Sequence, residues 1–268
     1  MTPVTLALWQ GAGVQRDVAA TLAEVARIAE EAAGEGADLL VFPEGFLTGY
    51  FLPDLAPGDL RWVDAALAEV GGIARSAGLG LLMGTHLDTC VGLQNAAVVF
   101  DHTGTEVGRY AKRVLFGPWE KATFTPGQGG LLVGLCGLRV GVAICYDVEF
   151  PELIRAYARD GAELILVPTA LMEPHGQIAR VIPMARALEN QLFLGYANRS
   201  GAEGPLTFTG LSCICGPGGE MLAQAGTAPR LLTARLNAVR LQDERAVSCY
   251  LDDLLQLGDL CPNGRAPG

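Results

Sequence analysis

Residues 139–169, RVGVAICYDVEFPELIRAYARDGAELILVPT, carry a strand, a helix and a second strand in one unbroken pass. Val140 to Ile144 form an apolar run that stops at Cys145. Pro151 then opens a pattern in which Leu153, Ile154, Tyr157 and Ala158 share one helical face. GAELILVPT (161–169) reads as a buried strand and repeats GADLLVFPE (36–44) almost letter for letter. The copies put Glu44 and Thr169 at equivalent points, so the chain reads as two β-α-β halves related by a pseudo-twofold axis. Catalytic groups are expected between the halves.

Outward from this unit the alternation continues, the signature of an α/β fold. Residues 4–9 read as a strand, Val18, Leu22, Val25, Ala26 and Ala29 mark one face of a helix, and Leu39 to Phe42 are a second buried strand. Further strands are expected at 79–84, 94–100, 106–111, 131–135, 139–145, 192–198, 208–215 and 230–236. Helices are expected at 59–76, 151–160 and 176–190, with Pro183 kinking or interrupting the last. Periodicity alone fits either a layered sandwich of two sheets or one doubly wound sheet. No linker or low-complexity segment divides 1–268, so a single domain is expected, with 237–268 as a C-terminal extension.

Three reactive side chains follow strand ends. Glu44 comes after Leu39–Phe42, Lys112 after the strand-like run from Glu106 to Tyr110, and Cys145 after Val140–Ile144. In open α/β folds ligands bind outside the carboxyl ends of strands, where groups far apart in sequence converge. A cysteine just ahead of a helix N-terminus is expected to sit in positive potential that favours thiolate, with free N–H groups to bind an oxyanion. Taken singly, a glutamate after proline also fits capping of a strand or turn, and Lys112 beside Arg113 also fits a solvated pair.

Four motifs, PEGFLTGY (43–50), YAKR (110–113), CYDVEFPE (145–152) and VPTA (167–170), together resemble the carbon–nitrogen hydrolase family, also called the nitrilase superfamily. The likeness runs from Val4 to about Leu236 and is nearest to the small aliphatic amidases, including 5-aminopentanamidase-like enzymes. It implies an α-β-β-α sandwich and a thiol-dependent amidohydrolase that needs no cofactor. Cys145 would be the nucleophile. Glu44 would take the thiol proton, pass it to departing ammonia and then activate water, while Lys112 and the Tyr146 backbone N–H stabilise the tetrahedral intermediate. Glu120 would position the amide or the water, or else pair with Lys121. Tyr50, Trp119, Tyr146, Thr169, Ala170 and Met172 are the expected pocket walls, although each aromatic fits core packing equally well. A homodimer or larger homo-oligomer is implied, with the helix after Cys145 and residues 250–260 as contacts. The tail's alternative is docking on its own subunit.

Composition narrows the partners. A formal net charge of −10 disfavours nucleic acid and anionic membranes, and no apolar run approaches the roughly 20 residues of a membrane span. MTPVTLALWQ lacks a basic n-region, so a cytoplasmic protein is expected. Seven cysteines fit reduced thiols better than a disulfide framework, with Cys90, Cys136, Cys249 and Cys261 expected as small buried hydrophobes. Cys213-Ile214-Cys215 is read as placing its thiols on opposite strand faces, and His86, His102 and His175 have no ligand spacing, so no metal is expected. Glu149, Glu152 and Glu173 are candidates to favour a substrate amine, solvation being the alternative for each. The substrate reading is thus a short aliphatic or ω-amino carboxamide, against N-carbamoyl amine hydrolysis, a nitrilase or a catalytically idle binding protein.

Overall fold

Strands that are apolar on both faces need cover on both, and the chain supplies it by pairing two sheets and flanking them with helices. The structure, a computed structural model, describes residues 3–14 and 17–257. The first half contains β1 (Val4–Gln10), α1 (Val18–Gly34), β2 (Leu39–Val41), α2 (Val63–Ala77), β3 (Gly80–Thr89), β4 (Gly92–Phe100), β5 (Glu106–Ala111) and α3 (Gly117–Thr123). The second contains β6 (Leu132–Leu135), β7 (Leu138–Val142), α4 (Pro151–Arg159), β8 (Leu164–Thr169), α5 (Gln177–Asn190) and β9 (Phe193–Asn198). It goes on with β10 (Ser200–Glu203), β11 (Leu206–Thr209), β12 (Cys213–Cys215), β13 (Met221–Gln224), β14 (Arg230–Leu236), α6 (Val239–Val247) and α7 (Tyr250–Leu254).

The sheets run β14-β1-β2-β3-β4-β5 and β6-β7-β8-β9-β12-β13, with β10–β11 a separate hairpin. In each, a parallel trio, β1-β2-β3 or β7-β8-β9, is flanked by one antiparallel strand on one side and two on the other. The repeated sequence therefore folds into repeated topology, and β14 crosses back to close the first sheet.

Side-chain alternation divides the cores. Leu6, Leu8, Leu39 and Val41 face Val140, Val142, Leu164 and Leu166 in one cluster between the sheets. Their neighbours Leu40 and Leu81 face outward under Val25, Ile28 and Val70 of α1 and α2. Ile165 and Val167 likewise face Ile154, Tyr157 and Ala187 of α4 and α5. That is the expected four-layer α-β-β-α sandwich, with each large core side chain contributing about 1.5–3 kcal/mol of burial.

Several local expectations are corrected. Helix α5 runs through Pro183 without interruption. The strand expected over 208–215 is broken at Gly210 and Leu211, whose φ angles of 64° and 61° turn the chain from β11 to β12. Cys213 and Cys215 share a face and a core cluster, with Ile214 in the other, because side chains two apart on a strand point the same way. Cys90 is exposed and Cys249 is half-buried, so neither is core filler, whereas half-buried Cys136 packs against the core between the sheets; Cys261 and residues 258–260 lie outside the described residues. The tail docks on its own chain: the Gln191 side-chain amide donates to the Glu244 and Ser248 carbonyls, and its oxygen accepts the Tyr250 N–H. Among the described residues no helix is long and apolar enough to cross a membrane.

Candidate active site

Glu44 leaves the end of β2, and the backbone there is pressed against β3. A Cβ at Gly84 would lie 2.0 Å from the Pro43 carbonyl oxygen, so only glycine lets the Pro43–Glu44 segment pass so close. Gly45 turns the chain at a φ of 60°. From the opposite sheet, Arg199 at the end of β9 donates through Nη1 to the Glu44 and Gly45 carbonyls at 3.2 and 3.1 Å, and its Nη2 donates to Glu203. Glu203 Oε1 accepts the Phe51 N–H at 2.6 Å, which closes the loop that Glu44 opens. Glutamate placement therefore depends on both sheets.

Lys112 follows β5 and is fully buried, as are Glu44 and Glu120. Its Nζ donates to Glu44 Oε1 at 2.8 Å and to Glu120 Oε1 at 2.7 Å. Asn95 of β4 donates Nδ2 to the same oxygens, at 2.7 Å and 3.4 Å. Glu120, on α3, also accepts from Tyr50 Oη at 2.9 Å and through Oε2 from the Phe116 N–H at 2.6 Å. Glu44 Oε2 is buried with no protein partner. Burial would lower Lys112, but Glu44, Cys145 and Glu120 outweigh it and hold the ammonium above its usual range. Glu44 is raised by burial, with Lys112 opposing and Glu120 adding. Glu120 pairs with Lys112 and not with the exposed Lys121.

Cys145 begins a 3-10 turn, Cys145–Glu149, with φ of 46°, a left-handed value that is costly for a non-glycine residue. Helix α4 starts only at Pro151, so the cysteine does not cap it. The expectation of a ready thiolate fails: burial pushes the Cys145 thiol well up and Glu44 adds to this, against Lys112 and the Ala170 N–H. Of the carboxylates around the thiol, Glu44 adds more to this upward push than Glu120 does. The elbow is fixed from outside. Asp147 accepts the Ile144 N–H at 3.0 Å, the Val114 N–H at 2.8 Å and Tyr110 Oη at 2.8 Å, binding the cysteine turn to the segment after Lys112. Arg186 of α5 donates to the Val148 and Glu149 carbonyls at 2.9 and 2.7 Å.

Cys145 opens on a cavity of about 210 Å³ walled by Tyr50, Phe116, Tyr146, Ala170, Met172 and His175, with Leu171 and Ile178 also on its lining and Glu149 as its carboxylate. Of the residues expected as pocket walls, Tyr50, Tyr146, Ala170 and Met172 line this cavity. Trp119 does not: it packs behind Tyr50 and against Phe51 and Phe124. Thr169 is buried and donates to the Val167 carbonyl. Glu152 and Glu173 are exposed, which leaves Glu149 alone of the three expected acids on the cavity. Sequence reasoning missed Asn95, Asp147, Arg199, Phe116 and His175 as parts of the site. A larger groove between α1 and α2 contains none of these groups. Among the described residues no cluster of His, Cys, Asp or Glu is placed to hold a metal ion.

A buried cysteine, a carboxylate with one free oxygen and a fixed ammonium beside a small cavity suit attack on a carbonyl carbon. Comparison with known proteins agrees. The family model described as carbon-nitrogen hydrolase matches residues 5–246. The "Hydrolase in pqqF 5'region" of Pseudomonas protegens is 39% identical, covering 92% of this chain and 88% of its own. An (R)-stereoselective amidase of a Pseudomonas species is 35% identical over 92% of this chain and 89% of its own. The crystal structure of an amidase from a Nesterenkonia species superposes with a TM-score of 0.83 at 38% identity, covering 91% of this chain and 94% of that one. In a glutamate-to-glutamine variant of that amidase, acrylamide is joined by Michael addition to the active-site cysteine.

Proposed function

Since the chain belongs to the carbon–nitrogen hydrolase family and is an amide-hydrolysing enzyme, we propose that it cleaves short aliphatic or ω-amino carboxamides to acid and ammonia through a Cys145 thioester. Glu44 Oε2 takes the thiol proton as sulfur attacks, and the proton goes to the departing ammonia. Lys112 and the Tyr146 backbone N–H balance the charge that grows on the carbonyl oxygen. Water, deprotonated by Glu44, then cleaves the thioester and returns the cysteine. Glu120 holds Lys112 in place.

The observation that carries this reading is the Glu44–Lys112–Glu120 cluster, buried to full exclusion of solvent behind a cavity that Cys145 lines. The small, largely apolar cavity supports a short acyl chain, and half-buried Glu149 supports tolerance of a terminal amine. The test is ammonia release from short aliphatic amides, ω-amino amides, N-carbamoyl amines and nitriles, with wild type beside Cys145→Ala. Amide turnover that vanishes in the variant is expected. Preference for N-carbamoyl amines, with carbon dioxide released, would replace the substrate class, and turnover surviving in Cys145→Ala would overturn the mechanism.

A homodimer is proposed as the working form. Val181 and Leu188 on α5 and Tyr250, Leu255 and Leu257 in the tail are exposed apolar side chains on neighbouring elements, which supports a shared contact. Light scattering should give twice the chain mass of 28.1 kDa, and a monomer would remove the proposal.

A further inference from the structure

A carboxylate that must take a proton from one group and give it to another works best when one oxygen alone is available for both. Glu44 meets that condition in an uneven way. Its Oε1 accepts from Lys112 Nζ and from Asn95 Nδ2, while its Oε2 is buried without a protein partner. Glu120 is different: Oε1 accepts from Lys112, Asn95 and Tyr50, and Oε2 accepts from Phe116. Among the oxygens of these two carboxylates only Glu44 Oε2 is open to a new proton.

Lys112 alone does not fix that asymmetry, because its ammonium is shared between two carboxylates and the terminal torsion of a glutamate is soft and roughly twofold. Asn95 supplies the second point. It is 1% exposed, and its own carbonyl accepts the Lys112 N–H at 2.8 Å, so the β4–β5 ladder fixes it beside the lysine. Its orientation is also determined. With the amide reversed, Asn95 Oδ1 would face the oxygens of Glu44 and Glu120; as placed, that atom is buried and unpartnered, a cost carried so that Nδ2 meets the carboxylates.

Resting on the reading of Glu44 as the base, we propose that Asn95 is a positioning residue that covers Glu44 Oε1 and thereby reserves Oε2 for the proton. In acylation the sulfur–carbon bond forms, the carbon–nitrogen bond breaks, and the thiol hydrogen passes by way of Glu44 Oε2 to nitrogen, leaving thioester and ammonia. Without Asn95 the carboxyl rotates, and the proton rests on an oxygen turned away from the leaving group. The titratable and charged groups around Glu44 are Lys112 after β5, Glu120 on α3, Cys145 after β7, Tyr50 in the following loop and Arg199 at its carbonyl. His86 on β3, opposite Asn95, is held neutral, its value brought down to about 3 by burial, Arg199 and Lys112.

The experiment compares wild type with Asn95→Leu, which removes the donor, and Asn95→Asp, which keeps the shape and replaces the donor by an oxygen. Each is followed by the pH profile of amide hydrolysis and by the pH dependence of Cys145 alkylation by iodoacetamide. A kcat lower by about 10- to 100-fold, the rate equivalent of one hydrogen bond to a charged group, is expected with KM within about twofold. The acid limb of both profiles should move to higher pH, since a donor to the ionised carboxylate is lost. The shape-preserving Asn95→Asp protein serves if Asn95→Leu does not fold. An unmoved acid limb, or a loss confined to KM, overturns the role of Asn95. Wild type inactive on every amide but with an alkylation profile that shifts in the variants would overturn the substrate reading and leave the role of Asn95 standing.

Discussion

Lys112 is an ammonium with no solvent contact, held between Glu44 and Glu120, so its removal has two separable effects. Lys112→Met should lower kcat by at least ~10²-fold, the cost of one oxyanion donor, and destabilise the protein by about 3–5 kcal/mol by leaving two buried carboxylates unpaired. Turnover measured beside a urea melt checks both, and a variant of wild-type stability would show that the carboxylates are neutral without it. Glu44 must be ionised to act, and burial has raised its carboxyl, so kcat/KM should fall as pH drops through a value above the ordinary carboxylate figure of about 4.3. A profile flat down to that figure would remove Glu44 as the base. Glu149→Gln should raise KM about fivefold for an ω-amino amide and leave KM for the matching neutral amide unchanged, the magnitude being that of a solvent-screened pair. Equal effects on both would make Glu149 part of the wall and not of selection. Glu44, Lys112 and Cys145 were legible in the sequence because each follows a strand in a recognisable motif. Asn95 was not: it is one polar residue within an ordinary strand pattern, and its meaning arises only where β4 lies beside β5.

The 3-10 turn at Cys145–Glu149 is where an element departs most from its sequence pattern. The local pattern puts Cys145 just ahead of a helix opening at Pro151, and from that comes the expectation of helix-terminal potential at the sulfur. Asp147 explains the difference: its carboxylate gathers N–H groups from Ile144, Arg113 and Val114 and the Tyr110 hydroxyl, contacts that no local window contains. Asp147→Ala should cost about 3 kcal/mol of stability through unpaired buried donors and lower kcat while the cysteine stays present. Thermal melting and titration of accessible thiols would test this, and an unchanged kcat would mean that the turn holds its shape alone. Long periodic elements such as α1, α2 and β1 were readable because burial repeats along them. The expected strand over 208–215 joins the end of β11 to β12, since Gly210 and Leu211 bend the chain by positive φ angles that apolar patterning does not record, and β10 lies outside every expected strand.

At the scale of the molecule, the repeat of 36–44 in 161–169 was enough to foresee two like halves, but not that their sheets would pack face to face. That choice depends on which side chains alternate inward across the interface, as Leu39 and Val41 do against Val140 and Leu164. It also divides the site: Glu44, Lys112 and Glu120 come from the first half, and Cys145, Tyr146 and Ala170 from the second. One apolar layer joins the halves, and the Arg199 guanidinium crosses from the end of β9 to the Glu44 carbonyl. Neither sheet keeps a covered inner face without the other, so one cooperative unit is proposed. All three tryptophans, Trp9, Trp62 and Trp119, lie in the first half and report on it alone, whereas far-ultraviolet circular dichroism reports on both. In urea, tryptophan fluorescence, circular dichroism and amide turnover should therefore lose amplitude at one shared midpoint. A fluorescence midpoint displaced from that of circular dichroism would show that the halves unfold separately, and that the layer between the sheets contributes less than its burial implies.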